Sequence, residues 1–298
     1  MKEEMMNPLK TKLTMLNHCA VISFRQLQRL LDDDPELRCL ESRSVSYFQS
    51  KLQISSMKAT ELHRNLHTLP FEKLFHSYRL NQIYIIHFKD PQYPHLLKNI
   101  YNPPWLLYAI GNPSLLNERQ LAVVGSRKVV EPSLMALSKL IPHLVSNGFV
   151  ITSGLAKGVD KAAHTLTINH GGQTIGVLGS GFFHIYPQEN RTLAENMKLN
   201  HLLLSEYPPH QKPNPWHFPM RNRIISGMAS GTLVVQAAKK SGSLITAELA
   251  LQEGREVFAV PGSMHLPEYE GSHFLIQQGA KLVMNGNDIT EELTNFYS

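Results

Sequence analysis

Cysteine is nearly absent from this 298-residue chain: Cys19 and Cys39 are the only two, twenty positions apart and outside any CxxC pair. That spacing argues against a disulfide framework and a thiolate metal cluster, and buried thiols in a reducing cytosol are expected. No apolar run approaches 18 residues, so no membrane-spanning helix is expected. The opening MKEEMMNPLK is too acidic and polar for a signal peptide, which makes a cytoplasmic protein the expectation. A large excess of one charge is lacking too. The formal net charge is +5, with 12 basic against 9 acidic residues through Leu80 and 17 against 15 after it. If the larger part binds an anionic polymer, the fold has to gather its cations, because composition does not supply them in excess.

The usual catalytic signatures are also missing. Fifteen histidines form no HExxH or HxH cluster, and no GxSxG elbow supplies a nucleophile. A Walker loop is absent, and GSRKVV stands where a dinucleotide fingerprint would follow the first parallel strand. No nucleotide, metal or other cofactor is therefore expected. Asp160 and His164 lie four apart on one helical face; they form either a base and its orienting acid or a structural hydrogen bond that pins the helix.

What is present changes character along the chain. Residues 1–80 carry helical periodicity, with Phe24, Leu27, Leu30 and Leu31 in one stripe and Leu62, Leu66 and Leu69 in another before Pro70. Asp34 before Pro35 reads as a helix N-cap. Residues 81–117 read as a bridge: Ile83, Ile85 and Phe88 mark one strand, and Trp105 and Tyr108 are expected to clamp onto the domain that follows. In 118–298 short apolar runs alternate with helical stretches: LAVVG, FVITSG, TIGVLGSG, TLVVQAA and EVFAVPG. Such runs predict a doubly wound, mostly parallel, Rossmann-like sheet covered on both faces, preceded by a small all-α domain.

In that architecture ligands sit beyond the carboxyl ends of the strands. The residues placed there are Gly125, Ser126 and Arg127 after the first strand, a turn containing Lys157 after the second, Gly179, Ser180 and Gly181 after the third, and Lys240, Ser241, Gly242 and Ser243 after TLVVQAA. Glycine admits close backbone approach, and a following helix offers N–H groups to an anion. In FPMRNRII, Phe218 precedes Arg221, Asn222 and Arg223 in the expected first turn of a helix, where cations oppose the helix dipole. A phosphate would offset that cost, and so would a salt bridge to an acidic neighbour. Trp216, Phe182, Phe183 and Tyr186 either stack on bases or pack onto the sheet. Several anion sites along one crevice suit a chain of phosphates better than a single nucleotide.

In order along the chain, GSR (125–127), SGLAKGVDKAAH (153–164), GGQTIGVLGSG (171–181), YPQEN (186–190), SEYPP (205–209), FPMRNRII (218–225), KSGSLITAELA (240–250) and GREVFAVPGS (254–263) resemble the DNA-processing protein A (DprA, or Smf) family. The helical N-terminus is similar in kind to that family's sterile-alpha-motif-like (SAM-like) domain. The resemblance implies a non-enzymatic protein that binds and protects incoming single-stranded DNA during natural transformation. It also implies a homodimer that works beside single-strand-binding protein and helps to load RecA, and helices near 243–253 and 272–279 are expected at the dimer face. On this chain the implied DNA pocket falls on Arg127, the glycines of GSG, Arg221, Arg223 and Lys240.

Departures from the family pattern carry their own expectations. Lys128-Val129-Val130 follows GSR where a threonine and a glycine are common, and Gln236 stands where many members have a glutamate, which is expected to make the crevice more positive. The sequence ends about fifteen residues after its last strand, so a winged-helix tail is not expected. Two alternatives stay open: a nucleotide-phosphate hydrolase of the lysine-decarboxylase-like type, whose PGGxGTxxE signature is missing here, and a RecA-docking scaffold without DNA affinity.

Overall fold

The computed structural model describes residues 7–20 and 22–294, and these divide into two compact units. The first unit runs to Tyr93 and takes back residues 102–109; the second holds residues 94–101 and everything from Ile110 onward.

Five helices build the first unit: α1 (Pro8–Cys19), α2 (Phe24–Asp33), α3 (Val45–Leu52), α4 (Ser56–Thr68) and α5 (Phe71–Leu80). Serine starts three of them. Ser23 forms a reciprocal capping box with Gln26, and the Ser44 and Ser55 hydroxyls accept from the third helical N–H of α3 and α4. Leu27, Leu30, Leu31, Leu62 and Leu66 are buried as the helical stripes predict. Asp34, by contrast, closes α2 rather than opening a helix. Its carboxylate accepts from the Cys39 N–H at 2.7 Å, which spends the acid on a turn. Strand β1 (Tyr84–His87) pairs antiparallel with β2 (Leu106–Gly111), Tyr84 opposite Ala109. The expected clamp onto the following domain is corrected here. Trp105 Nε1 donates to the Ile22 carbonyl between α1 and α2 at 3.0 Å and the Tyr108 hydroxyl to Asn17 of α1 at 2.9 Å, so both aromatics anchor the returning segment within their own unit.

The second unit opens with the short α6 (His95–Lys98), and its centre is an all-parallel sheet. In chain order come β3 (Gln120–Gly125), α7 (Glu131–Ser146), β4 (Val150–Ser153), α8 (Val159–Asn169), β5 (Thr174–Leu178), α9 (Arg191–Asn200), β6 (Leu202–Ser205), α10 (His217–Met228), β7 (Gly231–Gln236), α11 (Gly242–Gln252), β8 (Glu256–Ala259), α12 (Glu270–Gln277), β9 (Lys281–Leu282) and α13 (Asn287–Thr294). The spatial order is β6-β5-β4-β3-β7-β8-β9. One core gathers Leu121, Val123 and Ile151 from the strands with Leu137, Ile141 and Val159 from the helices, each fully buried. Strands buried on both faces read as unbroken apolar runs, the pattern that made them legible. This is the doubly wound, Rossmann-like arrangement. The chain winds outward from β3 through β6, then returns to the other side with β7, so the switch point lies between β3 and β7. Their register shifts between Val124 and Gly125, just where the two strands end.

Gln236, the last residue of β7, is buried and fixes the loop that leaves β3. Its Oε1 accepts from Val130 N–H and its Nε2 donates to the Lys128 carbonyl, both at 3.0 Å. It lies outside the crevice lining and acts on the loop that carries Arg127 and Lys128. The amide matters because it both donates and accepts. Asp160 and His164 likewise serve separate tasks. Asp160 accepts from the Ala156 N–H at 3.2 Å, and His164 Nδ1 meets Thr174 Oγ1 at 2.7 Å. Because the Thr174 hydroxyl donates to the Ile151 carbonyl, the histidine nitrogen is the donor in that pair. Burial, then the charges of His201 and Arg221, push the His164 pKa down to about 3.

Two outcomes are expected. Gln236→Glu loses the bond to Lys128 and sets a carboxylate against its carbonyl, lowering unfolding free energy by about 1–3 kcal/mol in a denaturant titration; unchanged stability would contradict the clamp. His164 stays neutral when folded, so between its unfolded pKa near 6.5 and about 3 the unfolded state binds one more proton. Its stabilising contribution is complete above that window and is lost as pH falls, by about 1.4 kcal/mol per pH unit. His164→Asn, which keeps a donor for Thr174, should flatten that acid-side loss in pH-dependent melting.

Candidate nucleic-acid interface

Beyond the carboxyl ends of β3 and β7 the chain leaves an open crevice of about 520 Å³. One wall is the turn after β3, with Gly125, Ser126, Arg127 and Lys128; the facing wall is the β7–α11 turn, with Lys240, Ser241, Gly242 and Ser243. The first two turns of α10 supply Phe218, Arg221 and Asn222, and Asp160, Ile245 and Thr246 are among the other residues of the lining. Arg127 and Lys240 are exposed at the mouth, whereas Arg221 is buried.

Helix α10 starts at His217, one turn earlier than FPMRNRII alone suggests, so Arg221 falls in the second turn. Helical side chains lean toward the N-terminus. That direction brings the Arg221 guanidinium back under the sheet ends, where Nη1 donates to the Gly154 carbonyl at 2.6 Å and to the Val177 carbonyl. Glycine at 154 leaves room for the guanidinium, which a Cβ there would push away. Burial pulls the Arg221 pKa down to about 10, Asp160 opposes that, and Arg127 adds a like charge from above. The group stays cationic at neutral pH. Burial raises the Asp160 pKa, while Arg221 and hydrogen bonds from Ala156, Ser153 and Gly154 work against the rise. Among the described residues Asp160 is the only carboxylate lining the crevice, against Arg127, Lys128, Arg221 and Lys240.

Arg223 does not join them. It is buried two positions further on, and Nη2 grips both oxygens of Glu206 at 2.5 and 2.6 Å. Residues two apart on a helix point to opposite sides, so the RNR spacing itself allows only one arginine into the crevice. The pair ties α10 to the loop after β6, the salt-bridge outcome left open by the sequence.

The four strand-end turns also divide. The turn after β5 is turned inward: Ser180 Oγ donates to the His184 carbonyl, and Gly181 N–H donates to the Gln211 carbonyl at 2.8 Å. A Cβ on Gly181 would strike the carbonyls of Pro208 and Pro209. Ser180 and Gly181 therefore hold the loop and leave only Gly179 near the site, with the Phe218 ring against it. The turn after β4 uses its N–H groups within the protein as well, Ala156 on Asp160 and Val159 on the Ser126 carbonyl at 3.1 Å. What remains facing outward is the start of α11, where Ser241 Oγ caps the Ser243 N–H.

A second, smaller recess adjoins the crevice. Arg127, Lys157, Gly179, Tyr186, Phe218 and Arg221 line it, and the Tyr186 and Phe218 rings meet at 5.5 Å between centroids. Lys157 pairs with Glu189 at 2.5 Å. Phe182 is buried in the core, Phe183 packs edge-on against His210, and Trp216 lies edge-on to Tyr207 and His217. Tyr186 and Phe218 are thus the aromatic side chains beside the cations. Thr246, one helical turn beyond Ser243, was overlooked in the sequence although the i, i+3 spacing sets it on the same face.

Among the described residues no group of three or more His, Cys, Asp or Glu is placed to hold a metal ion, and no helix is long and apolar enough to cross a membrane. Residues 84–294 match the family described as DNA recombination-mediator protein A. The DNA processing protein DprA of Bacillus subtilis is 44% identical over 261 residues, covering 87% of each chain. The solved structure of DNA processing protein A from Streptococcus pneumoniae superposes with a TM-score of 0.84 at 36% identity, over 95% of this chain and 97% of that one. The corresponding Helicobacter pylori protein, solved in a study of its single-stranded DNA binding mode, gives 0.66 at 28% identity over 73% and 98%. With the fold, the crevice and these matches together, the chain belongs to the DprA/Smf family of DNA-processing proteins.

Proposed function

We propose that the chain binds single-stranded DNA without regard to sequence, holding successive phosphates in the crevice between the ends of β3 and β7. The observation that carries this reading is the convergence of Arg127, Lys128, Lys240 and the buried Arg221 on one crevice that holds, among the described residues, a single carboxylate. Cations without matching acids repel one another, as Arg127 does Arg221, and a bound polyanion relieves that repulsion. Phosphate contacts carry no base code, so affinity without sequence preference follows. Tyr186 and Phe218 at the adjoining recess offer faces for base stacking, worth about 1–3 kcal/mol per base in single-strand binders. The Helicobacter pylori relative is described as binding single-stranded DNA, which supports the same ligand here.

The finer role belongs to the proposal as well. It is a cytoplasmic, non-enzymatic mediator that protects incoming DNA during transformation, acts as a homodimer beside single-strand-binding protein, and helps to load RecA. Exposed Leu251 on α11 and Phe274 on α12 offer apolar surface for the dimer face. A hydrolase is disfavoured because Asp160, the crevice acid, is committed to the Ala156 N–H and to Arg221.

Arg127→Ala and Lys240→Ala should each weaken binding of an oligothymidylate. Each should also flatten the log–log salt dependence by about 0.7 for every phosphate that is no longer neutralised. Wild-type affinity and slope in both variants would move the site elsewhere. Incubation of the purified protein with nucleoside monophosphates should release neither base nor phosphate; release of either would replace this reading with the hydrolase.

A further inference from the structure

A wider groove of about 820 Å³ runs between α7 and α8, outside the crevice. Half-buried Val129, Leu134, Ala162 and Leu166 form its floor, and Met135 stands in it more than half exposed. Arg127, Lys128, Lys157 and Lys161 stand along it, against the carboxylates Glu131 and Glu189, the latter already paired with Lys157. Two residues of the crevice, Arg127 and Lys128, line this groove too, so the two hollows share a wall.

Resting on the reading of the crevice as a single-strand site, we propose that this groove is a second DNA track, taking the continuation of the same strand past Arg127. Three observations converge on that occupant. The shared residues let consecutive phosphates pass from one hollow to the other. The surplus of cations suits a polyanion. The apolar floor beneath a cationic rim suits bases turned inward with phosphates above. The competing occupant, an acidic peptide with apolar side chains, would meet the same charge but has no reason to adjoin the crevice.

The test compares oligothymidylates of about 4 and about 16 nucleotides, the span of known single-strand sites. Fluorescence anisotropy is recorded at several salt concentrations with wild type and with Lys161→Glu, a substitution at an exposed position on α8 that a melting curve checks for folding. The expected result is that Lys161→Glu lowers affinity for the long strand several-fold. Its salt slope should fall by about 0.7, with binding of the short strand unchanged. Equal binding of the long strand by both proteins overturns the second track and leaves the crevice intact. So does an acidic amphipathic peptide that binds wild type and not the variant while DNA binding stays the same. If wild type binds neither strand, the crevice reading falls first and the track with it.

Discussion

The crevice is organised around one buried cation. Arg221 sits on the carbonyls of Gly154 and Val177, and thus joins the ends of β4 and β5 to α10. Burying a guanidinium is costly unless its donors are satisfied and a counter-charge is near. The two carbonyls meet the first need and Asp160 the second. Each partner then constrains its own position: a side chain on Gly154 would displace the guanidinium, and hydrogen bonds from the turn 153–156 oppose the rise that burial imposes on the Asp160 pKa. Remove the arginine and a buried carboxylate is left without its neighbour, so the motif residues stand or fall together.

That arrangement explains why a nearly neutral Rossmann-like unit can still attract a polyanion. The cations are few, but the topology concentrates them at the switch point, where the loops after β3 and β7 diverge and leave room. Gln236 keeps the β3 loop in place with both halves of its amide, so Arg127 is presented from a fixed loop. A loop fixed in advance spares the cost of ordering backbone on binding and leaves only the exposed side chains to be immobilised, which matters when each phosphate contact contributes modestly.

Much of this was legible in the sequence, for identifiable reasons. Apolar runs buried on both faces announce parallel strands, and Gly-Ser turns after them mark the ligand edge, so the sheet and both walls of the crevice were readable. Legibility ended where tertiary contacts decide between equivalent residues. Arg221 and Arg223 are the same amino acid in the same motif, yet a 200° turn around the helix, two steps of about 100°, sends one to the sheet ends and the other to Glu206. Gly179-Ser180-Gly181 looks like a phosphate loop, but it continues into a return segment rather than a helix, and its polar groups close on that segment. Trp105 and Tyr108 were recognisably buried; which unit they bury against depends on a chain reversal that no local pattern encodes. Gln236 looked like a lost acid because its partners, the Lys128 carbonyl and the Val130 N–H, lie more than a hundred positions away.

The central claim is that backbone phosphates lie in the β3–β7 crevice above Arg221, and a crystal structure of the protein with a bound oligothymidylate tests it most directly. The account predicts phosphate oxygens within hydrogen-bonding distance of Arg127, Lys240 and the first N–H groups of α11, with bases beside Tyr186 and Phe218. A strand bound on another face, with that crevice empty, would contradict it.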